Sequence, residues 1–119
     1  MLRISETRDE LKVVNDQHGI PTSCVDLALA LSELIDITVG QDEVGGILHF
    51  SNSCDQGSIT WAEFAREIFS IAGKDTKVIG CSSSEYPTNA KRPSFSILKN
   101  TSDILLPHWK DALARYLGK

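Results

Sequence analysis

The sequence predicts an α/β fold of about three short strands and three to four helices. Three observations carry that expectation. Short β-type runs alternate with stretches of helical periodicity. One helix start bears a capping-box spacing, Thr60-Trp61-Ala62-Glu63. The first two strands are far enough apart for a crossover through the helix between them.

Residues 1–10 are polar with a weak helical pattern, as in the last turns of a helix. Leu11 to Val14 is a β-type run closed by the turn pair Asn15-Asp16. Gln17 to Ser23 is a loop in which Thr22 or Ser23 can cap the next helix. That helix, about Cys24 to Asp36, is apolar nearly all round and expects cover on more than one side. Gly45-Gly46 opens a second strand, Ile47 to Asn52. The capped helix carries Trp61, Phe64, Ala65, Ile68, Phe69 and Ala72 on one face, and Gly73 ends it. Lys77 to Cys81 is a third strand, and Ser82 to Lys99 a long loop of the kind that is functional or mobile. A last helix starts near Pro107, with Trp109, Ala112, Leu113, Tyr116 and Leu117 on one face. Core packing is expected of Trp61 and Trp109.

A chain of 119 residues holds one domain at most, here residues 1–119. With 41% apolar and 24% charged residues it is an ordinary soluble composition. The net charge of −4 disfavours nucleic acid and anionic membranes as partners. No segment reads as a membrane span or signal peptide, so a cytoplasmic location is expected. Cys24, Cys54 and Cys81 are too scattered for a disulfide framework or zinc site and read as buried, inert thiols. His18, His49 and His108 lack partners at metal-ligand spacing, so no metal site is expected. His49 reads as a packed or surface residue of the second strand, and His18 as a possible contact.

Charge is unevenly distributed. Residues 1–73 carry 4 basic and 12 acidic side chains, and residues 74–119 carry 8 and 4. The basic part includes Lys91-Arg92-Pro93, where a guanidinium fork beside a stiff proline suits a phosphate or carboxylate. The chemistry of a nucleotide-dependent enzyme is otherwise missing. Glycines at 19, 40, 45, 46, 57, 73, 80 and 118 form no dinucleotide or phosphate-loop spacing. Tyr86 has Ala90, not lysine, four residues on, and Lys91 falls one residue late. No residue is therefore assigned a catalytic or cofactor-binding role.

Taken in order, several segments resemble one family. Val13-Val14-Asn15-Asp16-Gln17-His18-Gly19-Ile20-Pro21-Thr22 resembles its VV-x-DQ-x-G-x-PT motif, and Asp26-Leu27-Ala28 follows at the expected place. Gly46 to Asn52 is similar to its GIYHFSN strand, and Thr60 to Ala65 to SWYEFA. Tyr86 to Pro93, with Ser96 and Leu98, resembles YPTPAxRPxxSxL, and Trp109-Lys110-x-Ala112-Leu113 matches the closing helix. The family is dTDP-4-dehydrorhamnose reductase, an extended short-chain dehydrogenase/reductase. The resemblance covers its C-terminal, substrate-binding portion only. The N-terminal Rossmann unit with its Gly-rich loop, and the Tyr-x-x-x-Lys pair, are absent.

The resemblance implies binding of a dTDP-sugar, dTDP-4-dehydro-6-deoxy-L-mannose or dTDP-L-rhamnose, through Gln17, Gly19, Lys91, Arg92 and Ser96. Arg92 is the expected diphosphate contact. NAD(P)H is implied for the full-length family and not for this chain, which is expected to be inactive alone. A separate chain carrying the Rossmann part is an implied partner, and self-association is expected from the missing sheet neighbour. The other readings are a non-catalytic interaction or regulatory module of the same fold family, or a truncated gene remnant.

Overall fold

A computed structural model describes residues 1–41, 45–86 and 88–119. Its elements, in chain order, are α1 (Leu2–Ser5), β1 (Glu10–Val14), β2 (His18–Gly19), α2 (Cys24–Thr38), β3 (Asn52–Ser53), β4 (Ile59–Thr60), α3 (Trp61–Ala72), β5 (Lys77–Cys81), a 3-10 turn (Ser83–Glu85), β6 (Leu106–His108) and α4 (Trp109–Tyr116). The predicted α/β class holds, with the strands divided among three two-stranded sheets. β1 runs parallel to β5, β2 antiparallel to β4, and β3 parallel to β6.

The crossover expectation needs correction. The neighbour of β1 is β5, with Leu11 opposite Val78 and Val13 opposite Gly80. The expected strand at Ile47 to Asn52 survives only as Asn52–Ser53. Instead of a ladder, its backbone is met by side chains and by one backbone bond, Thr101 N donating to His49 O at 3.2 Å. His49 N donates to Thr101 Oγ1 at 3.0 Å and Ser51 N to Asn100 Oδ1 at 2.6 Å, while Asn100 Nδ2 donates to Ser51 O at 3.0 Å. An extended segment satisfied in this way has the hydrophobic pattern of a strand and no strand partner.

The helix starts follow the sequence. Ser23 caps α2, its hydroxyl accepting from Asp26 N at 3.4 Å. Thr60 and Glu63 form the reciprocal capping box of α3. Gly73 closes α3 in the left-handed conformation, φ +64°, which costs a glycine little. The last helix begins at Trp109, two residues later than expected, because Pro107 lies in β6 and His108 supplies the cap.

The core sits between α3 and α4. Ile59, Trp109 and Leu113 are buried there against Phe64, Ile68 and Leu117. Phe64 meets the edge of Trp109 at a centroid distance of 5.9 Å. Trp61, expected in the core, is instead 43% exposed. It leads α3 one step off the buried stripe of Ala62, Ala65 and Phe69. α2 is buried at Asp26 and Ala30 only, and leaves Leu29 65% and Ile35 59% exposed.

The chain is elongated, with extents of 56 × 34 × 25 Å and a radius of gyration of 17.1 Å. A compact domain of this length has about 13–14 Å. Its accessible surface is 8433 Å² for 13.1 kDa, against about 6400 Å² for a folded monomer of that mass.

Candidate functional site

β1 and β5 are parallel, so their carboxyl ends lie at one edge, where ligands collect in open α/β sheets. Asn15 N donates to Cys81 O at 2.9 Å and carries the register past the strand ends. The loop after β1 and the 3-10 turn after β5 are thereby brought side by side. Ser83 joins them. Its Oγ donates to Asp16 Oδ1 at 2.6 Å, its N donates to Asp16 Oδ2 at 2.8 Å, and its Oγ accepts from Gln17 Nε2 at 2.9 Å. These hydrogen bonds from the Ser83 side chain and backbone hold the Asp16 carboxyl below its ordinary 3.8. Glu85 is lowered likewise by the backbone and hydroxyl of Ser82. Both carboxylates are fixed anionic acceptors at neutral pH.

The next residue anchors the long loop. His18 N donates to Ser94 O at 2.8 Å, and His18 O accepts from Ser96 N at 3.0 Å and Ser96 Oγ at 3.2 Å. Phe95 stands against the His18 ring, tilted, at 6.2 Å. β2 is thus flanked by β4 on one side and by a parallel bridge to Phe95 on the other. The long loop is consequently strapped across the Asp16–Gly19 turn.

Of the five residues singled out from the sequence, Gln17, Gly19 and Ser96 are brought together around His18. A β-carbon at Gly19 would lie 3.5 Å from Ser96 Oγ, ordinary contact distance, so glycine is not sterically demanded there. Lys91 and Arg92 are exposed and make no hydrogen bond or ion pair among the described residues. They lie on the stretch that leads into the strap. Pro87, part of the Tyr86 to Pro93 motif, lies outside the described residues. Tyr86 follows the 3-10 turn and is on no helix, so helical spacing does not align it with Lys91.

Sequence reasoning missed Ser83 and Asn52. Asn52 is wholly buried. Its Nδ2 donates to Asp26 Oδ2 at 2.7 Å and to Pro107 O at 2.9 Å, and its Oδ1 accepts from Ser23 N at 2.7 Å. Arg115 Nη2 donates to Asp26 Oδ1 at 2.8 Å and Oδ2 at 2.9 Å. This network ties α2, β3, β6 and α4 together and fixes the Thr22–Ser23 end of the loop that begins at Asp16. The signal for Ser83 was the Ser82-to-Glu85 spacing, a second capping box. Asn52 carried no signal beyond its place in the Gly46–Asn52 motif.

An apolar cleft of about 860 Å³ opens on the far side of this loop, walled by Trp61, Phe64, Trp109, Tyr116 and Val25. None of the five candidate residues lines it. Its lining is mainly apolar, with Arg3, Thr22, Ser23 and Arg115 as its polar members. The thiols are free: Cys81 is buried, Cys54 half-buried, and Cys24 exposed, contrary to the expectation of uniform burial. Among the described residues no group of three or more His, Cys, Asp and Glu is placed to hold a metal, and no helix is long and apolar enough to cross a membrane.

A dinucleotide does not fit the turns at the strand ends. β1 leads into Asn15-Asp16-Gln17 and β5 into Ser82-Ser83-Ser84-Glu85, neither with a glycine or the start of an α-helix. A pyrophosphate instead needs a glycine-rich approach to a helix N-terminus.

The RmlD substrate binding domain model matches residues 1–119. The chain is similar to dTDP-4-dehydrorhamnose reductase of Sinorhizobium fredii, 39% identical over 97% of this chain and 42% of that protein. Its structure is similar to that of a dTDP-4-dehydrorhamnose reductase from Clostridium acetobutylicum, with a TM-score of 0.85, 40% identity, and coverage of 98% of this chain and 41% of the other. It is also similar to the Bacillus anthracis reductase in complex with NADP, with a TM-score of 0.85, 32% identity, and coverage of 99% and 41%. The chain therefore spans about two fifths of the length of the relatives it matches.

Proposed function

Because the chain belongs to the RmlD substrate binding domain family, we propose that it holds the sugar nucleotide of a dTDP-4-dehydrorhamnose reductase and performs no chemistry alone. The ligand is dTDP-4-dehydro-6-deoxy-L-mannose or dTDP-L-rhamnose. Residues 1–119 act as one binding domain, and NAD(P)H and the proton donor come from a Rossmann part outside these residues. Gln17, Gly19 and Ser96 line the sugar side, while Arg92 and Lys91 meet the diphosphate. A guanidinium offers that group paired charge-assisted hydrogen bonds.

The observation that carries this reading is the Ser94–Ser96 strap on His18. It ties Ser94 and Ser96, which follow Lys91-Arg92 in the long loop, to the turn after β1, and so supports the reading. Near-complete coverage of this chain by reductases favours this reading over a regulatory module.

The test is an NMR titration with dTDP and dTDP-L-rhamnose. Shifts confined to residues 16–22 and 86–98 are expected, and Arg92→Ala weakens binding about tenfold, the loss of one charge-assisted contact. A ligand that leaves both loops unmoved refutes the site. Steady NADPH oxidation with the dTDP-keto sugar by the purified chain alone refutes the claim that it lacks catalytic parts.

A further inference from the structure

The Ser83 hydroxyl stands between two side chains of the turn after β1, and its single proton decides how both are used. Asp16 takes a hydrogen bond on each oxygen, from Ser83 Oγ at 2.6 Å and from Ser83 N at 2.8 Å. A carboxylate only accepts, so the hydroxyl proton is committed to Asp16. What Ser83 Oγ offers Gln17 is then a lone pair. Gln17 meets it with its amide nitrogen, Nε2, at 2.9 Å. Were the amide turned over, Oε1 and Ser83 Oγ would face each other as two acceptors with no proton between them. The turn therefore fixes which end of the carboxamide points where, and Oε1 is held on the side away from Ser83 as an acceptor.

The neighbouring backbone keeps the two turns close enough for this. Gly80 lies opposite Val13, and a β-carbon on it would come within 2.6 Å of Asn15 Nδ2. Ser82, just before Ser83, is pinned by Glu85, whose Oε1 accepts from Ser82 N at 3.0 Å and Ser82 Oγ at 3.2 Å. Gln17 and Ser83 are both half-buried. A side chain held in advance loses less rotamer freedom when it meets a ligand.

We propose that Ser83 is a positioning residue for the sugar nucleotide: it holds Gln17 so that Oε1 accepts a hydrogen bond from a hydroxyl of the bound sugar. Asp16 sets the polarity of the chain and does not touch the ligand, because Ser83 takes both of its oxygens. An acceptor at this place favours a hydroxyl over a deoxy carbon or a keto oxygen, neither of which can donate. This inference deepens the sugar-binding reading and rests on it.

The test is an NMR titration of the full chain with dTDP-L-rhamnose and with dTDP, on the parent, Ser83→Ala, Ser83→Thr, Gln17→Ala and the Ser83→Ala, Gln17→Ala pair. The parent binds the sugar nucleotide more tightly than dTDP. Ser83→Ala weakens dTDP-L-rhamnose about fivefold, a loss not seen with dTDP, and Ser83→Thr, which keeps the hydroxyl, recovers binding to within about twofold. With Gln17 already alanine, Ser83→Ala costs nothing further, because Ser83 acts through Gln17. The side-chain amide spectrum gives a readout that needs no ligand: one Nε2 proton of Gln17 is protected from solvent exchange in the parent and in Ser83→Thr, and loses protection in Ser83→Ala. The backbone amide spectrum of each variant verifies that it is folded. If the parent binds neither compound, the sugar-binding reading fails and this inference with it. If the parent binds but Ser83→Ala binds equally well, or its loss persists without Gln17, or the Gln17 Nε2 protons of the parent exchange freely, the positioning role alone is overturned.

Discussion

Replacing Asn52 with alanine removes the side chain that joins β3 to the start of α2 and to β6. Three hydrogen bonds go with it: from Ser23 N at 2.7 Å, to Asp26 Oδ2 at 2.7 Å and to Pro107 O at 2.9 Å. The two neutral bonds are worth about 1 kcal/mol each and the carboxylate bond about 2. Asp26 is left buried with Arg115 as its remaining side-chain partner, and a small void opens. Together these give about 3–5 kcal/mol of lost stability, or about 12–20 °C in Tm at roughly 4 °C per kcal/mol. Urea unfolding followed by fluorescence of buried Trp109, with a thermal melt beside it, measures the loss. A double-mutant cycle with Asp26→Ala should return a coupling of about 1–3 kcal/mol, because the two side chains share a bond. Thr22→Val serves as a control. Thr22 Oγ1 meets Asn52 N only at 3.4 Å, so about 0.5 kcal/mol or less is expected. If Asn52→Ala stays within about 1 kcal/mol of the parent, the network is not what joins these elements.

The remaining predictions concern single features. Glu63→Ala breaks the capping box of α3 and should cost about 0.5–2 kcal/mol by urea unfolding. Asp16 and Glu85 have lowered folded pKa values, so their stabilisation is full above the ordinary 3.8 and 4.5 and is lost as pH falls through the folded values. Carboxyl titrations by NMR should accordingly give midpoints below 3.8 and 4.5. Ser83→Ala should move the Asp16 midpoint up toward 3.8, and an unchanged midpoint would remove Ser83 as the cause. Leu29→Gln and Ile35→Gln on the open side of α2 should each change monomer stability by about 0.5 kcal/mol or less, because water already covers them. A loss above about 2 kcal/mol in dilute solution would mean that this side is covered.

Much of the fold was legible in the sequence because local chemistry decided it. The Thr60–Glu63 box, Ser23 at the start of α2, Gly73 at the end of α3 and the strand Lys77 to Cys81 all stand where the sequence puts them. The misreadings were non-local. Leu48 and Phe50 have the alternation of a strand, but Asn100 and Thr101 took the place of a ladder. Crossover spacing suited Ile47 to Asn52 as the neighbour of β1, and the later β5 took that place. The candidate site was partly legible. Gln17, Gly19 and Ser96 come together through backbone bonds of His18 that no side-chain pattern records, and the link through Ser83 joins residues 66 and 67 positions apart.

The pairings that build this molecule also set the order in which it can form. Glu10 meets Lys77 across 67 positions, Asn52 meets Pro107 across 55, and Asp26 meets Arg115 across 89. Such long closures make folding slow. During synthesis the carboxylate of Asp26 waits for α4, which carries its partner Arg115. A nascent chain that has made α2 but not α4 therefore carries an unneutralised acid on an oily helix until Arg115 follows, 89 positions later. That interval is when a chaperone has most to shield.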